Sequence, residues 1–300
     1  MNFRNIVSLW ITMAVLLAAT ITQAQNRAAI SGKMQPAGSS MQPSRETPPT
    51  PDGASPAYGS CAYSFSTGSG PGYLQFCITQ NGNVYNFQSP AGVEMLSPQG
   101  SAPFEGYGIC DPTTSTSYYD YNYTASNNWN PPTTLTSDAT EVKIERVTID
   151  GLWTLTQTFT LEKGPPPYVK VTMSLKNNTP ETKTPAFLRY ANFQPDTGGV
   201  ENYDSTKNST WGYTSYSDGA LDGANEYGLM LQNASAPSPS STSTFWFGVT
   251  QNTVFGPTPC EALAASSGTL TYTQGSGFLL YYPTLAKNQS VTITDEYFSF

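Results

Sequence analysis

Trp153-Thr154-Leu155-Thr156-Gln157-Thr158-Phe159-Thr160-Leu161 is the stretch that decides the fold of this chain. Apolar residues hold every second position, Gln157 excepted, and threonines hold the others, which is the period of a strand with one face in a core and the other in solvent. Gly164-Pro165-Pro166-Pro167 interrupts the run, after which Val169, Val171, Met173 and Leu175 alternate with Lys170, Thr172, Ser174 and Lys176. Two such runs across a short connection predict an antiparallel pair. Asn177-Asn178-Thr179-Pro180 ends the second. Val142 to Ile149 predicts a strand before the pair and Ala186 to Phe193 one after it, making a central meander.

The same grammar continues outward. Tyr73 to Thr79 and Asn83 to Gln88 flank Asn81-Gly82, a pair suited to a type I′ hairpin turn. Phe245, Phe247 and Val249 alternate with Trp246 and Gly248, and Gly277 to Tyr282 and Ser290 to Phe300 read as closing strands, the last with a bulge expected near Asp295 or Glu296. Pro112 to Ser137 and Gly198 to Gly228 show no clear period and read as long polar loops, the natural places for a site. No long helix is indicated. The expected fold is all-β, an antiparallel β-sandwich reaching up to a large supersandwich, with long polar loops.

The chain opens with an address. Arg4 precedes an apolar run from Ile6 to Ile21, and Thr22-Gln23-Ala24 offers a small-residue cleavage point, so residues 1–24 read as a secretory signal peptide. At about 16 residues, diluted by Ser8, Thr12 and Thr20, the run is short for a membrane span, which needs roughly 20. Residues 25–57 are rich in Pro, Ser, Gly, Met and Gln and read as a disordered tether. Residues 58–300 form the expected β-sandwich domain. The mature protein is expected to be secreted or periplasmic, without a membrane span, and its strands lack the lipid-facing bands of an outer-membrane barrel.

Cysteine usage agrees with export. Cys61, Cys77, Cys110 and Cys260 all lie beyond the leader, and an even number there suggests two disulfides. Three pairings are open. Cys61 with Cys77 is favoured because the glycines between them form a turn that sets two strands side by side, leaving Cys110 with Cys260. A zinc site is disfavoured, since there is no C-x-x-C pair and no histidine. With 13 Lys and Arg against 21 Asp and Glu the chain carries −8, a field that repels nucleic acid and anionic lipid.

The absence of histidine removes Ser-His-Asp and Cys-His mechanisms and histidine-ligated metals. A carboxylate pair remains for acid–base work, drawn from Asp196, Glu201, Asp204, Asp218, Asp222 and Glu226, yet no residue is assigned a catalytic role. Asp218, Asp222, Asn225 and Glu226 supply oxygens at short spacing, a possible Ca²⁺ site without the EF-hand pattern; no other cofactor is indicated. Tyr119, Tyr121, Tyr123 and Trp129 stand among Asn, Ser and Thr, and Trp211, Tyr213 and Tyr216 stand beside the acids; flat rings with polar tips in such company suit a carbohydrate surface. The bland reading of the tyrosines is one face of a strand. Trp153 and Trp246 read as core. Five Asn-x-Ser/Thr triplets, at Asn122, Asn177, Asn208, Asn233 and Asn288, matter only in a eukaryotic secretory pathway.

Asn81-Gly82-Asn83, Phe87, Ser89-Pro90-Ala91-Gly92 and Glu105-Gly106-Tyr107-Gly108, followed by Glu145-Arg146-Val147-Thr148, Asp150 to Phe159, Val171 to Asn177 and Arg189-Tyr190, resemble a group of exported bacterial β-sandwich proteins. The second half is also loosely similar, in pattern only, to galactose-mutarotase-like sandwich domains. The resemblance implies a fold and export. Mutarotase-type catalysis relies on histidines, which this chain lacks, so the resemblance does not imply that activity. Arg146 and Arg189, set in apolar strands, should each answer a carboxylate, with Glu145, Asp150 and Asp196 as partners in view. The functional expectation is an exported non-catalytic module that binds glycan or another cell-surface polymer through Tyr/Trp loops. The alternatives are a carboxylate-pair carbohydrate-active enzyme and a structural surface or assembly protein.

Overall fold

The computed structural model describes residues 60–67, 72–96, 105–122, 125–193, 200–204, 209–213, 227–235, 258–265 and 277–300, all within one unit spanning Ser40–Phe300. The leader, the tether and the strand expected around Phe245 lie outside the described residues. Among the described residues there are fifteen strands and one short helix, and every strand pairing is antiparallel. The fold is therefore an all-β sandwich, as the alternating runs require.

The largest sheet has eight strands, built around the deciding stretch. In spatial order it runs β11 (Val200–Asp204), β12 (Ser209–Tyr213), β13 (Gly228–Asn233), β15 (Ser290–Ser299), β9 (Tyr168–Asn177), β8 (Trp153–Glu162), β7 (Glu141–Val147) and β6 (Thr133–Ser137). Strands β8 and β9 pair along their whole length, Trp153 opposite Asn177 through Glu162 opposite Tyr168. Their burial alternates as the sequence does, with Trp153, Leu155, Phe159, Val169, Val171, Met173 and Leu175 inward. The outward threonines line up across strands, Thr156 opposite Ser174 opposite Thr292.

Facing this sheet are a four-stranded sheet in the order β14 (Gly277–Tyr281), β10 (Ala186–Ala191), β4 (Glu105–Asp111), β5 (Thr116–Asp120), and a three-stranded sheet, β1 (Tyr63–Ser66), β2 (Gln75–Ile78), β3 (Val84–Gln88). All three contribute to one apolar core. The four-stranded sheet is a middle layer. Tyr107, Ile109, Phe187 and Leu279 face the large sheet, while Cys110, Leu188, Tyr190, Phe278 and Leu280 face away, into a smaller core closed by helix α1 (Pro259–Ala265). Both expected disulfides are present, Cys61–Cys77 across β1 and β2 and Cys110–Cys260 between β4 and α1.

Several expectations are corrected. Strand β10 does not continue the meander; burial on both faces places it in the middle sheet, paired with β4 and β14. No bulge interrupts β15, whose register with β9 runs unbroken through Asp295 and Glu296. Asp295 simply points inward with Ile293 and Tyr297. The polar stretches at 112–137 and 198–228 contain β5, β6, β11 and β12, because Thr and Tyr are strand formers even without an apolar period. The Asn81-Gly82 turn is not type I′. Gly82 N–H bonds to Thr79 C=O and Thr79 N–H to Asn83 C=O, and Gly82 has φ of 86° while Asn81 is not left-handed, so a type I turn is followed by a glycine bulge.

That turn has no room to spare: a Cβ built on Gly82 would lie 2.4 Å from Gln157 Nε2, whereas one on Gly92, also left-handed at φ 84°, would meet nothing within 4 Å. Gly92→Ala should cost about 1 kcal/mol for the backbone alone, and Gly82→Ala about 3 kcal/mol because crowding adds to it. Urea denaturation of the two variants checks the difference; equal losses would mean that the hairpin yields freely.

Candidate functional site

The tip of the β2–β3 hairpin, residues 79–84, is wedged where the three sheets meet, and two buried arginine–carboxylate pairs hold it. Arg146 Nη1 lies 2.7 Å from Asp120 Oδ2 and also donates to Tyr107 Oη; the Tyr107 hydroxyl donates to Asn81 C=O, and Asn81 Nδ2 to Asp120. Arg189, with no exposed surface, pairs through Nε with Glu105, which is equally buried. Glu105 accepts further from Val84 N–H at 2.6 Å and from Tyr297 Oη at 2.5 Å, and Asn83 Nδ2 reaches the carbonyls of Glu105 and Asp120. The expectation that each arginine answers a carboxylate holds; the partners are Asp120 and Glu105 instead of Glu145, Asp150 or Asp196. Asp150 instead accepts from Tyr118 and Thr148.

One more acid stands beside the second pair. Asp295 is fully buried, accepts from Tyr281 Oη, and is pushed up to about 7 by burial, against the pull of the Tyr281 hydrogen bond and the Arg189 charge. Burial also raises Glu105, opposed by Arg189. The carboxylate separation of a glycosidase is not what this cluster offers to solvent, because every member is sealed in the core. Of the loop acids, Asp196, Asp218, Asp222 and Glu226 lie outside the described residues, as does Asn225; Glu201 and Asp204 fall on β11. Among the described residues no group of three or more acids, Cys or His is placed to hold a metal.

The aromatic candidates separate. Trp129 is core: its ring stands edge-on to Tyr107 at 5.6 Å and to Tyr118 at 6.4 Å, with the Arg146 guanidinium 5.4 Å from its centre. Tyr213 is buried on β12. Tyr123 and Tyr216 lie outside the described residues. Tyr119 and Tyr121 belong to a row of rings over the outer face of the middle sheet: Tyr119 to Tyr121 at 5.0 Å, Tyr121 to Tyr190 at 4.7 Å, Tyr190 to Phe278 at 4.9 Å. Tyr121, Tyr190 and Phe278 are buried, while Tyr119, at the β5 edge of the sheet, is half-exposed. Trp211 on β12 is likewise half-exposed. Trp153 is core, as expected.

Helix α1 covers the row. Thr258 and Glu261 close its first turn, each accepting the other's backbone N–H, with Pro259 at the first helical position. Pro259 seats on Gly108, where a Cβ would come within 2.4 Å of its ring, and Cys260 N–H donates to Ser117 Oγ. Around Tyr119 the return from β5 supplies hydroxyl and amide groups: Ser126 Oγ accepts from Tyr119 N–H, and Asn128 Nδ2 donates to Ser117 C=O. Sequence reasoning missed the helix, although Thr-Pro-Cys-Glu is a capping signature, because seven residues are too few to show a period. Of the glycosylation triplets, Asn122 and Asn177 are buried, and Asn177 Nδ2 is bound to the carbonyls of Glu181, Leu285 and Ala286.

No family model matches the chain, and no curated protein matches it. Among solved structures it is similar to an Escherichia coli K12 protein provisionally described as an aldose 1-epimerase, with TM-score 0.43, 13% identity, and coverage of 79% of this chain and 99% of that one. It is similar also to a provisionally described kojibiose phosphorylase from the human microbiome, with TM-score 0.45, 10% identity and coverage of 81% and 30%. A third is the heparan sulfate lyase HepC from Pedobacter heparinus, with TM-score 0.38, 10% identity and coverage of 83% and 37%. The chain thus spans about a third of the length of the latter two.

The buried acids give folding a pH slope. The folded protein keeps a proton on Asp295 to about pH 7, while the unfolded chain releases it near the ordinary carboxylate value of 3.8. Stability from this group is therefore complete below about pH 3.8 and falls as pH rises from there to about 7, by a few kcal/mol in order of magnitude. Glu94, raised to about 7 by burial, and Glu105 act in the same direction. Asp295→Asn should flatten the fall between pH 4 and 7 in denaturant titrations; a slope equal to that of the parent would remove Asp295 as its source.

Proposed function

We propose that the chain is exported and works by binding, with a carbohydrate polymer as its ligand and the β5 edge of the middle sheet as its recognition surface. The observation that carries this is the position of Tyr119. Its ring is half-buried, tilted against Tyr121 at the end of a row of buried rings that holds it in place. A ring fixed beforehand loses little freedom when a sugar face lies on it, so its contact area is not offset by ordering cost. Ser117, Ser126 and Asn128 stand beside it with hydroxyl and amide groups of the kind that meet sugar hydroxyls. Export is supported by the two disulfides and by the leader-like first 24 residues. Among the described residues no helix is long and apolar enough to cross a membrane. A non-catalytic role is favoured because Asp120 and Glu105 are engaged in holding the hairpin and Asp295 is buried against Tyr281.

The test is a glycan and cell-wall polysaccharide array probed with the secreted protein, with and without calcium, alongside Tyr119→Ala and Trp211→Ala. Tyr119→Ala should lower retention at least tenfold while the melting temperature stays within a few degrees of the parent. Calcium dependence would point to the acids at 218–226. Binding undiminished in Tyr119→Ala would place recognition elsewhere, and a blank array would favour the structural or assembly role.

A further inference from the structure

The second arginine cluster contains more polar atoms than its own side chains satisfy. Arg189 Nη2, Gln157 Nε2 and Asp295 Oδ2 are buried and have no hydrogen-bond partner among the described residues. Their sister atoms are all engaged: Arg189 Nη1 donates to Gln157 Oε1 at 2.6 Å, Arg189 Nε pairs with Glu105, and Asp295 Oδ1 accepts from Tyr281. Strand register brings the three residues to one place. On the inner face of the large sheet, Gln157 sits opposite Met173, and Asp295 opposite Val171, two positions along the same strand; Val171 in turn sits opposite Phe159. The Arg189 guanidinium lies across both rows, 5.2 Å from the Phe159 ring centre and 3.8 Å from Met173 Sδ. Leaving such atoms bare is costly, and buried polar groups without protein partners are where ordered waters are found.

We propose that the core holds an internal water site between Arg189 and Asp295, with Gln157 at its rim. Water is the species that fits the mixed chemistry. It accepts from the Arg189 N–H and can serve Asp295 Oδ2 in either protonation state, accepting from the carboxylic acid or donating to the carboxylate, with the Gln157 N–H at the rim. A metal cation would face Arg189, and a halide would face the Glu105 and Asp295 carboxyl groups. The site completes the network that joins β8, β10 and β15.

High-resolution crystallography of the secreted protein, with a second crystal soaked in bromide, decides the matter. The expected result is density for a water within hydrogen-bond distance of both Arg189 Nη2 and Asp295 Oδ2, without anomalous bromide signal. A bromide peak there, or a direct Arg189–Asp295 contact with no density between them, overturns the proposal. In solution, water-oxygen relaxation dispersion should show one fewer long-lived water in Asp295→Met, which removes the carboxyl group that holds it, with far-UV circular dichroism retained. An unchanged count in a folded variant also overturns it. If that variant does not fold, the crystals of the parent still decide.

Discussion

Two guanidinium–carboxylate pairs hold the sandwich in register. Beyond residue 57 the chain has only two arginines, Arg146 and Arg189, and both are buried against acids from the middle sheet or its edge. Each pair reaches the same hairpin tip, one through Tyr107 and Asn81, the other through Val84 and Asn83. Buried ion pairs often add little net stability over apolar packing, since desolvation of both charges offsets their attraction. Their effect here is on arrangement. An apolar hairpin tip could slide between sheets at little cost, whereas a tip that gives each of two buried carboxylates a hydrogen bond is held to one position. Removing a single partner would leave a bare charge in the core, a loss on the order of 3–5 kcal/mol.

This explains which parts of the fold were legible in the sequence and which were not. Period two named β7, β8, β9 and β15 directly, because each has one wet face and one dry face. It failed for β10 and β4, buried on both faces, where no alternation is available to read and sheet membership depends on partners far along the chain. The single exception in the deciding stretch, Gln157, is polar because it faces Arg189. Asp295 misled for the same reason: an acid on the core side of a strand looks like a register break until its Tyr281 and Arg189 neighbours are in view. Cysteine pairing was legible from a local turn. The acids that answer the arginines were not, since Asp120 and Glu105 lie 26 and 84 residues from their partners in sequence and neither spacing carries a signal.

The candidate site was legible as a composition and not as a surface. Tyr119, Tyr121, Trp129 and Tyr213 are one residue class in one polar context, yet their exposure differs because of what lies above each ring. Trp129 is capped by Arg146 and two tyrosines, and Tyr121 is sealed beneath α1; Tyr119 escapes because β5 is the edge strand of its sheet. Edge position is a property of strand order, which no local pattern reports.

Charge placement follows from the same economy. A chain with 11% charged residues takes much of its polar surface from Thr, Ser, Asn and Tyr, and both arginines among the described residues are committed to the interior. Hydroxyl-rich outer faces cost little in desolvation when another neutral, hydroxylated surface lies on them, because each lost water contact is replaced by one of similar strength. A face studded with lysine or glutamate would have to strip far more tightly held water. The two guanidinium groups that hold the sheets are therefore inside, where no water competes for their carboxylates.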